Sequence, residues 1–452
     1  MDFPVLTDKK AAFLSLGCKV NAYETESIKQ SFISYGAEIV DFKEIADIYV
    51  VNTCTVTNIA DRKSRQMLHR AKKLNPEAII VATGCYVQES AEKLKEEGCV
   101  DVLIGNRLKN KVAELTALYI SEGKKECRIY LNENENDYEE MNFVSSYKNS
   151  RVDIKIQDGC NQFCSYCIIP YARGRISSRN PLSVISEVES LASRGYKEVV
   201  LTGIHISSYG LDECSRSEQA KLRRIDGRMP LVELVEKINE IPGIERIRIG
   251  SFEPRIVDEE FAERLSACDK FMPHFHLSLQ SGCDSVLQRM NRKYSCSEYI
   301  NSCEILRKYF YKPSITTDII VGFPGETEEE FSETCEFVKK AGFAAIHIFP
   351  YSVREGTRAA GMPGQLTNEE KSKRAERLAE IEKTLRKEYE TSFDGEYRKI
   401  LVEEKIMIDG REYAVGFTPE YVKTVTEAEA EVNELFEVKM SGNYLADNIL
   451  AN

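Results

Sequence analysis

Short apolar runs alternate with helix-like stretches along most of this 452-residue chain. In the N-terminal part the runs are AAFLSLG (11–17), DIYVVNT (47–53), EAIIVATG (77–84) and VDVLIG (100–105). Runs of four to eight residues that are separated by helices are typical of a parallel sheet with helices on both faces. Residues 1–120 are therefore predicted to form a doubly wound α/β domain.

The alternation resumes after a polar, acidic stretch at 121–150, which is predicted to be a linker. Six strand-and-helix units then follow between 151 and 365, and they predict a partial TIM-type (β/α)6 barrel with its site at the carboxyl ends of the strands. A charged connecting helix is predicted at 366–390. Short strands with Gly and Asp-Gly turns predict a small antiparallel β-barrel at 391–452.

The composition disfavours several classes of protein. A net charge of −12 argues against indiscriminate nucleic-acid binding, although it leaves room for a local basic surface. The first residues, MDFPVLTDKK, lack a signal-peptide pattern, and no run approaches the roughly 20 apolar residues of a membrane span. We expect a cytoplasmic protein without a membrane partner, whose 14 cysteines are thiols rather than disulfides.

Three cysteines share one position relative to the predicted strands. Cys18 follows FLSLG, Cys54 follows YVVNT and Cys85 follows IVATG. Because the carboxyl ends of parallel strands lie along one edge of a sheet, these thiols are predicted to meet there. Glycines before the first and last of them allow a sharp backbone turn beside a bulky group. Three small buried residues at strand ends are the alternative interpretation.

A second set of three cysteines lies within eight residues, in the segment CNQFCSYC. Cys160, Cys164 and Cys167 follow the strand RVDIKIQ, so they lie in the loop after the first barrel strand. A structural zinc site needs a fourth protein ligand, and no second C-x-x-C pair or neighbouring histidine provides one. An iron–sulfur cluster held by three thiolates fits the count better, with one iron left for a substrate or cofactor.

The C-x-x-x-C-x-x-C spacing after a first barrel strand resembles that of the radical S-adenosylmethionine enzymes. In that family the open iron binds the methionine part of S-adenosylmethionine, and reductive cleavage yields a 5′-deoxyadenosyl radical. The resemblance implies that Tyr166 contacts the adenine and that Gly203, in LTGIH, holds the methionine amino group. It also implies cofactor contacts for Ser251 and Glu253 in GSFEP, and for Gly322 in VGFPGET. A strand–turn–helix junction is the alternative interpretation of VGFPGET.

The three domains together resemble the methylthiotransferases of that family. The resemblance implies that Cys18, Cys54 and Cys85 hold an auxiliary [4Fe–4S] cluster, and that Cys160, Cys164 and Cys167 hold the radical [4Fe–4S] cluster. It also implies a terminal TRAM-like RNA-binding barrel. The substrates of these enzymes carry an unactivated C–H bond, such as that at C2 of an adenine ring. A positioned acid or base cannot remove this hydrogen at neutral pH, whereas a radical cofactor can.

The runs LGCKVNAYETES, NTCTVTNIADRKSRQ and TGCYVQ resemble most closely the branch that modifies N6-threonylcarbamoyladenosine in tRNA. Two other branches, acting on N6-isopentenyladenosine in tRNA and on a ribosomal-protein aspartate, are the alternatives. The implied partners are a tRNA anticodon loop, an electron donor such as flavodoxin or ferredoxin, and a sulfur source.

Other residues are candidates for more specific roles. Arg173, Arg175 and Arg289 are candidates for binding the extra carboxylate of a threonylcarbamoyl group. His274, His276 and His347 are expected to be satisfied core residues. The tail offers charges and rings suited to loop RNA, namely Arg398, Lys399, Lys423, Lys439, Tyr397, Phe417 and Tyr421. An iron–sulfur electron carrier or a non-catalytic RNA-binding module are competing classes, which production of 5′-deoxyadenosine separates from an enzyme.

Overall fold

The structure is a computed structural model that describes residues 6–123, 126–131, 137–141, 150–224, 226–427 and 429–451. Much of the predicted linker at 121–150 lies outside these residues. The chain divides into two compact units, of which the first comprises Met1–Ser146, Lys155–Arg179 and Ser352–Ala360. The second comprises Tyr147–Ile154, Asn180–Tyr351 and Gly361–Asn452. The finer domain boundaries of the sequence analysis stay predictions.

The first unit is built on a six-stranded sheet with the order β2-β1-β3-β4-β5-β6, in which each neighbouring pair runs parallel. Its strands are β1 (Lys10–Ser15), β2 (Glu38–Val40), β3 (Ile48–Thr53), β4 (Ile79–Gly84), β5 (Val102–Ile104) and β6 (Arg128–Tyr130). Four of them coincide with the predicted apolar runs. The edge strands β2 and β6 were not predicted, because three half-exposed residues carry little apolar signal.

Helices cover both faces of this sheet, as the sequence predicts. They are α1 (Lys19–Ser34), α2 (Asn58–Leu74), α3 (Cys85–Glu96) and α4 (Val112–Ser121). Phe32 of α1 and Ala117 of α4 belong to the apolar cluster on one face, whereas Leu68 of α2 and Leu94 of α3 belong to the cluster on the other. The doubly wound arrangement is therefore confirmed.

The chain next forms β7 (Arg151–Lys155) and then a loop that belongs to the first unit. The loop contains β8 (Gln157–Asp158), α5 (Ile169–Ala172) and β9 (Ser177–Ser178). The strands β8 and β9 pair antiparallel, with Gln157 opposite Ser178. The segment CNQFCSYC is thus held between two ends that are fastened to each other.

The second unit contains an open barrel made of two three-stranded sheets, β11-β10-β7 and β12-β13-β14. Parallel bridges from Ile247 to Phe271 and from Phe252 to Leu277 join the sheets into one series, which confirms the predicted partial barrel. Its further elements are α6 (Pro181–Ser193), β10 (Glu198–Thr202), α7 (Arg216–Lys221), α8 (Pro230–Asn239), β11 (Arg246–Ile249), α9 (Glu259–Ser266), β12 (His274–His276), α10 (Asp284–Arg289), α11 (Cys296–Tyr309), β13 (Ser314–Val321), α12 (Glu328–Ala341) and β14 (Ala345–Pro350).

The same unit ends in a closed barrel of order β15-β16-β17-β19-β18, preceded by a long helix. The elements are α13 (Asn368–Thr391), β15 (Tyr397–Ile408), β16 (Arg411–Phe417), β17 (Lys423–Thr426), β18 (Leu435–Leu445) and β19 (Asn448–Ala451). The pairs are antiparallel except β17 with β19, which is parallel, because an odd number of strands cannot alternate in direction around a closed ring. Arg246 and Arg248 of β11 donate hydrogen bonds to carbonyl oxygens of Phe417 and Thr418 at 2.8 and 3.0 Å, which fixes the closed barrel to the open one.

Within the described ranges, the helices all fall short of the combined length and hydropathy that a bilayer crossing requires.

Candidate functional site: two cysteine triads

The first triad, Cys18, Cys54 and Cys85, lies at one edge of the six-stranded sheet. Cys18 is the N-cap of α1, Cys54 directly follows β3, and Cys85 is the first residue of α3. The strands that precede them, β1, β3 and β4, are immediate neighbours in the sheet. The structure therefore delivers three thiols from three adjacent strand ends to one place, as the sequence predicts.

Gly17 shows how closely the backbone approaches this place. Its φ is +97°, and a Cβ atom there would lie 2.7 Å from the Sγ of Cys54. Gly84, before Cys85, likewise has a positive φ of +105°. Both glycines thus have the backbone conformation expected for a sharp turn beside a bulky group.

The three cysteines of this triad differ in overall exposure. Cys54 and Cys85 are 5% and 3% exposed and Cys18 is exposed as a residue, yet burial also raises the pKa of the Cys18 thiol. Burial raises the pKa of the Cys54 thiol to about 11. A buried thiolate is stable only beside a compensating charge, and bound iron provides one. The donor set, three thiols converging at a sheet edge, fits a cluster with one iron left open.

The second triad lies on the loop between β8 and β9. The backbone N–H of Cys160 donates to the carbonyl oxygen of Gly174 at 3.1 Å, and that of Cys167 donates to Cys164 at 3.0 Å. The N–H of Gln162 points at the Sγ of Cys160, 3.4 Å away. All three cysteines are partly exposed. Three thiols at this spacing on a constrained loop fit the second cluster.

A buried network of charges, which we call the Arg173 network, lies between the two triads inside the first unit. It consists of Arg173, Glu24, Lys155, Asp158 and Lys109. Arg173 donates from Nη1 to Glu24 at 2.9 Å and to Asp158 at 3.0 Å. Lys155 lies 2.8 Å from Glu24 and 2.6 Å from Asp158, and Lys109 also pairs with Glu24.

The network contacts the first cysteine triad and is close in sequence to the second. The Nε of Arg173 donates to the Sγ of Cys85 at 3.3 Å, and its Nη2 donates to Asn21 of α1 at 2.6 Å. Asp158 lies two residues before Cys160. Although burial opposes it, the nearby cations hold the pKa of Glu24 well below its usual range. Glu24 is therefore a buried carboxylate anion.

These residues correct one sequence-based prediction. The sequence makes Arg173 a candidate for binding a substrate carboxylate, but it is 2% exposed and its donors are used by protein groups. Arg289 is also engaged, in a two-pronged pair with Glu330. Arg175 alone of the three is exposed, and its guanidinium lies 4.6 Å from the ring centre of Phe163.

Sequence reasoning missed Glu24 as a site residue, although a signal exists. Val20, Glu24 and Ile28 are spaced by four residues and share the buried side of α1. A carboxylate on the buried stripe of a helix requires a cationic partner, and this pattern alone could have marked it.

The predicted cofactor residues lie in both units. Tyr166 is a partly buried residue of the second-triad loop. Gly203 directly follows β10, and Ser251 and Glu253 follow β11. Gly322 directly follows β13, has φ +69°, and donates its N–H to Glu326 at 2.7 Å. Each of the four barrel residues is thus at the carboxyl end of a barrel strand, where the sequence analysis expects it.

Glu253 is already engaged by protein groups. It is 3% exposed, lies 3.1 Å from the Nε2 of His205, and accepts two hydrogen bonds from Arg255. Although burial opposes it, these partners hold the pKa of Glu253 well below its usual range. Its carboxylate can therefore orient His205 and Arg255, and a direct cofactor contact by Glu253 stays a prediction.

Two of the three barrel histidines share one environment, since His276 and His347 stack with ring centres 5.6 Å apart beside Asp318. His274 stacks on Tyr421, with ring centres 4.4 Å apart. The Nδ1 of His276 lies 3.0 Å from the hydroxyl of Thr316, and its Nε2 lies 3.2 Å from Asp318. His347 is exposed, so the expectation of a core residue is wrong there, because alternate residues of β14 face opposite sides.

Part of the predicted RNA surface is accessible on the closed barrel. Tyr397 is 63% exposed and lies opposite Lys439, whose Nζ is 5.9 Å from its ring centre. Lys399, two residues after Tyr397 on β15, is also exposed. Arg398 faces the other side, where it pairs with Glu420 at 3.0 Å. Arg398 is therefore a structural residue.

The chain is similar to known protein families and to proteins of known function. The sequence profile of the Radical SAM superfamily matches residues 154–338, and that of Uncharacterized protein family UPF0004 matches residues 10–105. The chain is 40% identical over 431 residues to the threonylcarbamoyladenosine tRNA methylthiotransferase MtaB of Bacillus subtilis (strain 168), which covers 95% of this chain and 93% of that protein.

A second relative differs in its named substrate. The tRNA-2-methylthio-N(6)-dimethylallyladenosine synthase of Thermoanaerobacter sp. (strain X514) is 35% identical over 393 residues, covering 86% of this chain and 80% of that protein. Among solved structures, the radical S-adenosylmethionine methyltransferase TsrM of Kitasatospora setae, with cobalamin and a [4Fe–4S] cluster bound, aligns with a TM-score of 0.56. That alignment covers 78% of this chain and 77% of TsrM at 17% identity, so the likeness is one of fold.

Proposed function

This chain belongs to the radical S-adenosylmethionine methylthiotransferase family, and from that premise we propose that it adds a methylthio group to C2 of N6-threonylcarbamoyladenosine at position 37 of tRNA. The product is 2-methylthio-N6-threonylcarbamoyladenosine. The observation that carries the proposal is the pair of cysteine triads within one compact unit, in a chain 40% identical to an enzyme named for this substrate.

Two [4Fe–4S] clusters and S-adenosylmethionine, when bound, supply the radical that removes hydrogen from C2 and the methylated sulfur that replaces it. Cys160, Cys164 and Cys167 hold the radical cluster. Cys18, Cys54 and Cys85 hold the auxiliary cluster, beside Arg173. Tyr166 contacts the adenine of the cofactor.

The barrel residues have supporting roles in this proposal. Gly203, Ser251 and Gly322 bind S-adenosylmethionine from the ends of their strands. Glu253, whose carboxylate is hydrogen-bonded to His205 and Arg255, also contributes a cofactor contact beside them. Proton transfer by a general acid or base has no part in breaking the C2–H bond.

The partners follow from the chemistry. The substrate is a tRNA anticodon loop, which exposed Tyr397, Lys399 and Lys439 contact through stacking and phosphate attraction. An electron donor such as flavodoxin or ferredoxin reduces the radical cluster, and a separate sulfur source renews the inserted sulfur. The enzyme acts in the cytoplasm, where its tRNA substrates are found.

The test is mass spectrometry of tRNA nucleosides from a host that lacks its own methylthiotransferases, with and without this chain. A new methylthio form of threonylcarbamoyladenosine supports the proposal. A methylthio form of isopentenyladenosine instead would overturn the substrate and keep the mechanism, in line with the 35% identical relative. Neither product from a protein with both clusters would point to the ribosomal-protein aspartate.

A further inference from the structure

The guanidinium of Arg173 donates hydrogen bonds from all three of its nitrogen atoms. Its two Nη atoms bond Glu24, Asp158 and Asn21, which leaves Nε directed at the Sγ of Cys85 at 3.3 Å. The side chain is 1% exposed, so water does not compete for that sulfur-directed donor. A guanidinium is planar, and fixing its two Nη atoms fixes the direction of its Nε–H bond.

The surrounding charges leave an excess of positive charge near Cys85. The Arg173 network contains three cations and two carboxylates. Glu24, Lys109 and Lys155 have fully buried side chains, and Asp158 is 5% exposed, so solvent screens them weakly. Arg173, which touches Cys85, and the net positive charge of its network therefore both favour negative charge on the auxiliary triad.

We propose that Arg173 is a positioning residue that raises the reduction potential of the auxiliary cluster by donating a hydrogen bond to the Cys85 sulfur. The inference rests on the proposed function, because it requires a cluster at Cys18, Cys54 and Cys85. Hydrogen bonds to sulfur ligands and net charge are two of the factors that set iron–sulfur potentials. Both stabilise the reduced cluster, which carries one more negative charge than the oxidised one.

The location of Arg173 adds a second consequence. It directly follows α5 on the loop that carries the radical triad, yet it bonds a cysteine of the auxiliary triad. A change at this side chain acts directly on the Cys85 sulfur, whereas Arg107 holds the same loop through its own hydrogen bonds. The potentials of the two clusters are therefore expected to respond differently.

The experiment compares Arg173→Lys with Arg107→Lys in the full-length enzyme carrying both clusters. Arg107 is a matched control, because its guanidinium also holds this loop, by donating to the carbonyl oxygens of Arg173 and Arg175 at 2.9 and 3.1 Å. Both changes keep the charge, but only Arg173→Lys removes the Nε–H bond to sulfur.

Potentials are measured by redox titration with electron paramagnetic resonance, and the auxiliary signal is assigned in Cys164→Ala protein. We expect Arg173→Lys to make the auxiliary cluster at least tenfold harder to reduce, a shift of about 59 mV for one electron. The radical cluster keeps its potential in that variant. Arg107→Lys leaves both potentials unchanged. An unshifted auxiliary potential in Arg173→Lys, or an equal shift in Arg107→Lys, overturns the inference.

A second variant covers the case in which Arg173→Lys fails to fold. Glu24→Gln removes one anion and keeps the donor on Arg173, so it is expected to raise the auxiliary potential. A lowered or unchanged potential in Glu24→Gln also overturns the inference. Failure of the proposed function looks different, since wild-type protein would then hold one cluster only or give no methylthio nucleoside.

Discussion

The two cysteine triads are held in place differently, one by a local loop and the other by the order of strands in a sheet. Cys160, Cys164 and Cys167 lie on one loop, whose ends are fastened by pairing of β8 with β9. Cys18, Cys54 and Cys85 come from three strand ends, and only the order β1-β3-β4 in the sheet brings them together. The first triad is a local property of the chain, and the second is a property of the fold. Disturbance of the fold should therefore damage the auxiliary triad first.

The largest effect is expected from removing one thiol of either triad. Cys54→Ala and Cys164→Ala should both reduce methylthio product to background, because each cluster needs all three ligands. They should differ in cofactor cleavage, measured as 5′-deoxyadenosine by liquid chromatography. Cys54→Ala should still form it after reduction, whereas Cys164→Ala should form none. Wild-type levels of methylthio product from Cys54→Ala would end the auxiliary role. Cys303→Ala, which changes a buried cysteine outside both triads, is the control.

A change in the fold near one triad should be next in size. Gly17→Ala places a Cβ 2.7 Å from the Cys54 sulfur at a φ of +97°. We expect about half of the iron to be lost, since two equal clusters share it, and the rest to stay on the radical triad. Iron analysis after reconstitution gives the number directly.

Gly98→Ala is the matched control for this change. Gly98 also has a positive φ, +68°, but a Cβ there meets nothing within 4 Å. It shares the backbone strain without the crowding, so it should lower stability by about 1 kcal/mol and keep the full iron content. Equal iron loss in both proteins would mean that backbone strain, rather than contact with the thiol, disturbs the auxiliary triad.

A more moderate effect is expected at Arg354, which bonds the residue after Cys54 from outside the sheet. Arg354 donates to Thr55, which follows Cys54, at 2.6 Å and to Asp61 at 2.5 Å. Arg354→Ala leaves these groups without their cation, and should lower the free energy of unfolding by about 2 kcal/mol. Urea denaturation measures this.

The control is the exposed pair of Arg377 with Glu328, whose side chains are 52% and 55% exposed. Because exposed pairs contribute little, Arg377→Ala should cost less than about 1 kcal/mol. A cost for Arg354→Ala no greater than that for Arg377→Ala would show that the bonds of Arg354 to Thr55 and Asp61 contribute no more to stability than an exposed ion pair.

The smallest effect is expected at helix caps. Thr57 caps α2, just after Cys54, by accepting from the N–H of Ala60, and Thr367 caps α13 in a capping box. Thr57→Ala and Thr367→Ala should each cost about 1 kcal/mol, measured by urea denaturation. Iron content should stay full in both, because neither residue touches a thiol ligand. Iron loss in Thr57→Ala but not in Thr367→Ala would show that the cap of α2 also helps to keep the auxiliary triad in place.

Local patterns in the sequence predicted much of this molecule. The apolar runs located the central strands of the sheet and the barrel strands, because a strand buried on both faces needs an unbroken apolar segment. They failed for β2 and β6, which lie at sheet edges and are half exposed. The prediction for His347 is wrong for a related reason, since strand alternation leaves this side chain exposed, with only His276 stacked on it among the aromatic contacts of the described residues.

The same contrast applies to function. The sequence by itself determined the six thiols, their two kinds of spacing and the family they indicate, because ligand type and local spacing are written in the chain. Only the tertiary structure decided that Arg173 is a buried partner of Cys85 rather than a reader of substrate, and that Glu24 is its counter-ion. Contacts between residues so distant in the chain depend on how the loop packs against α1 and α3. An arginine in the sequence does not indicate whether its guanidinium lies in water or against a sulfur atom.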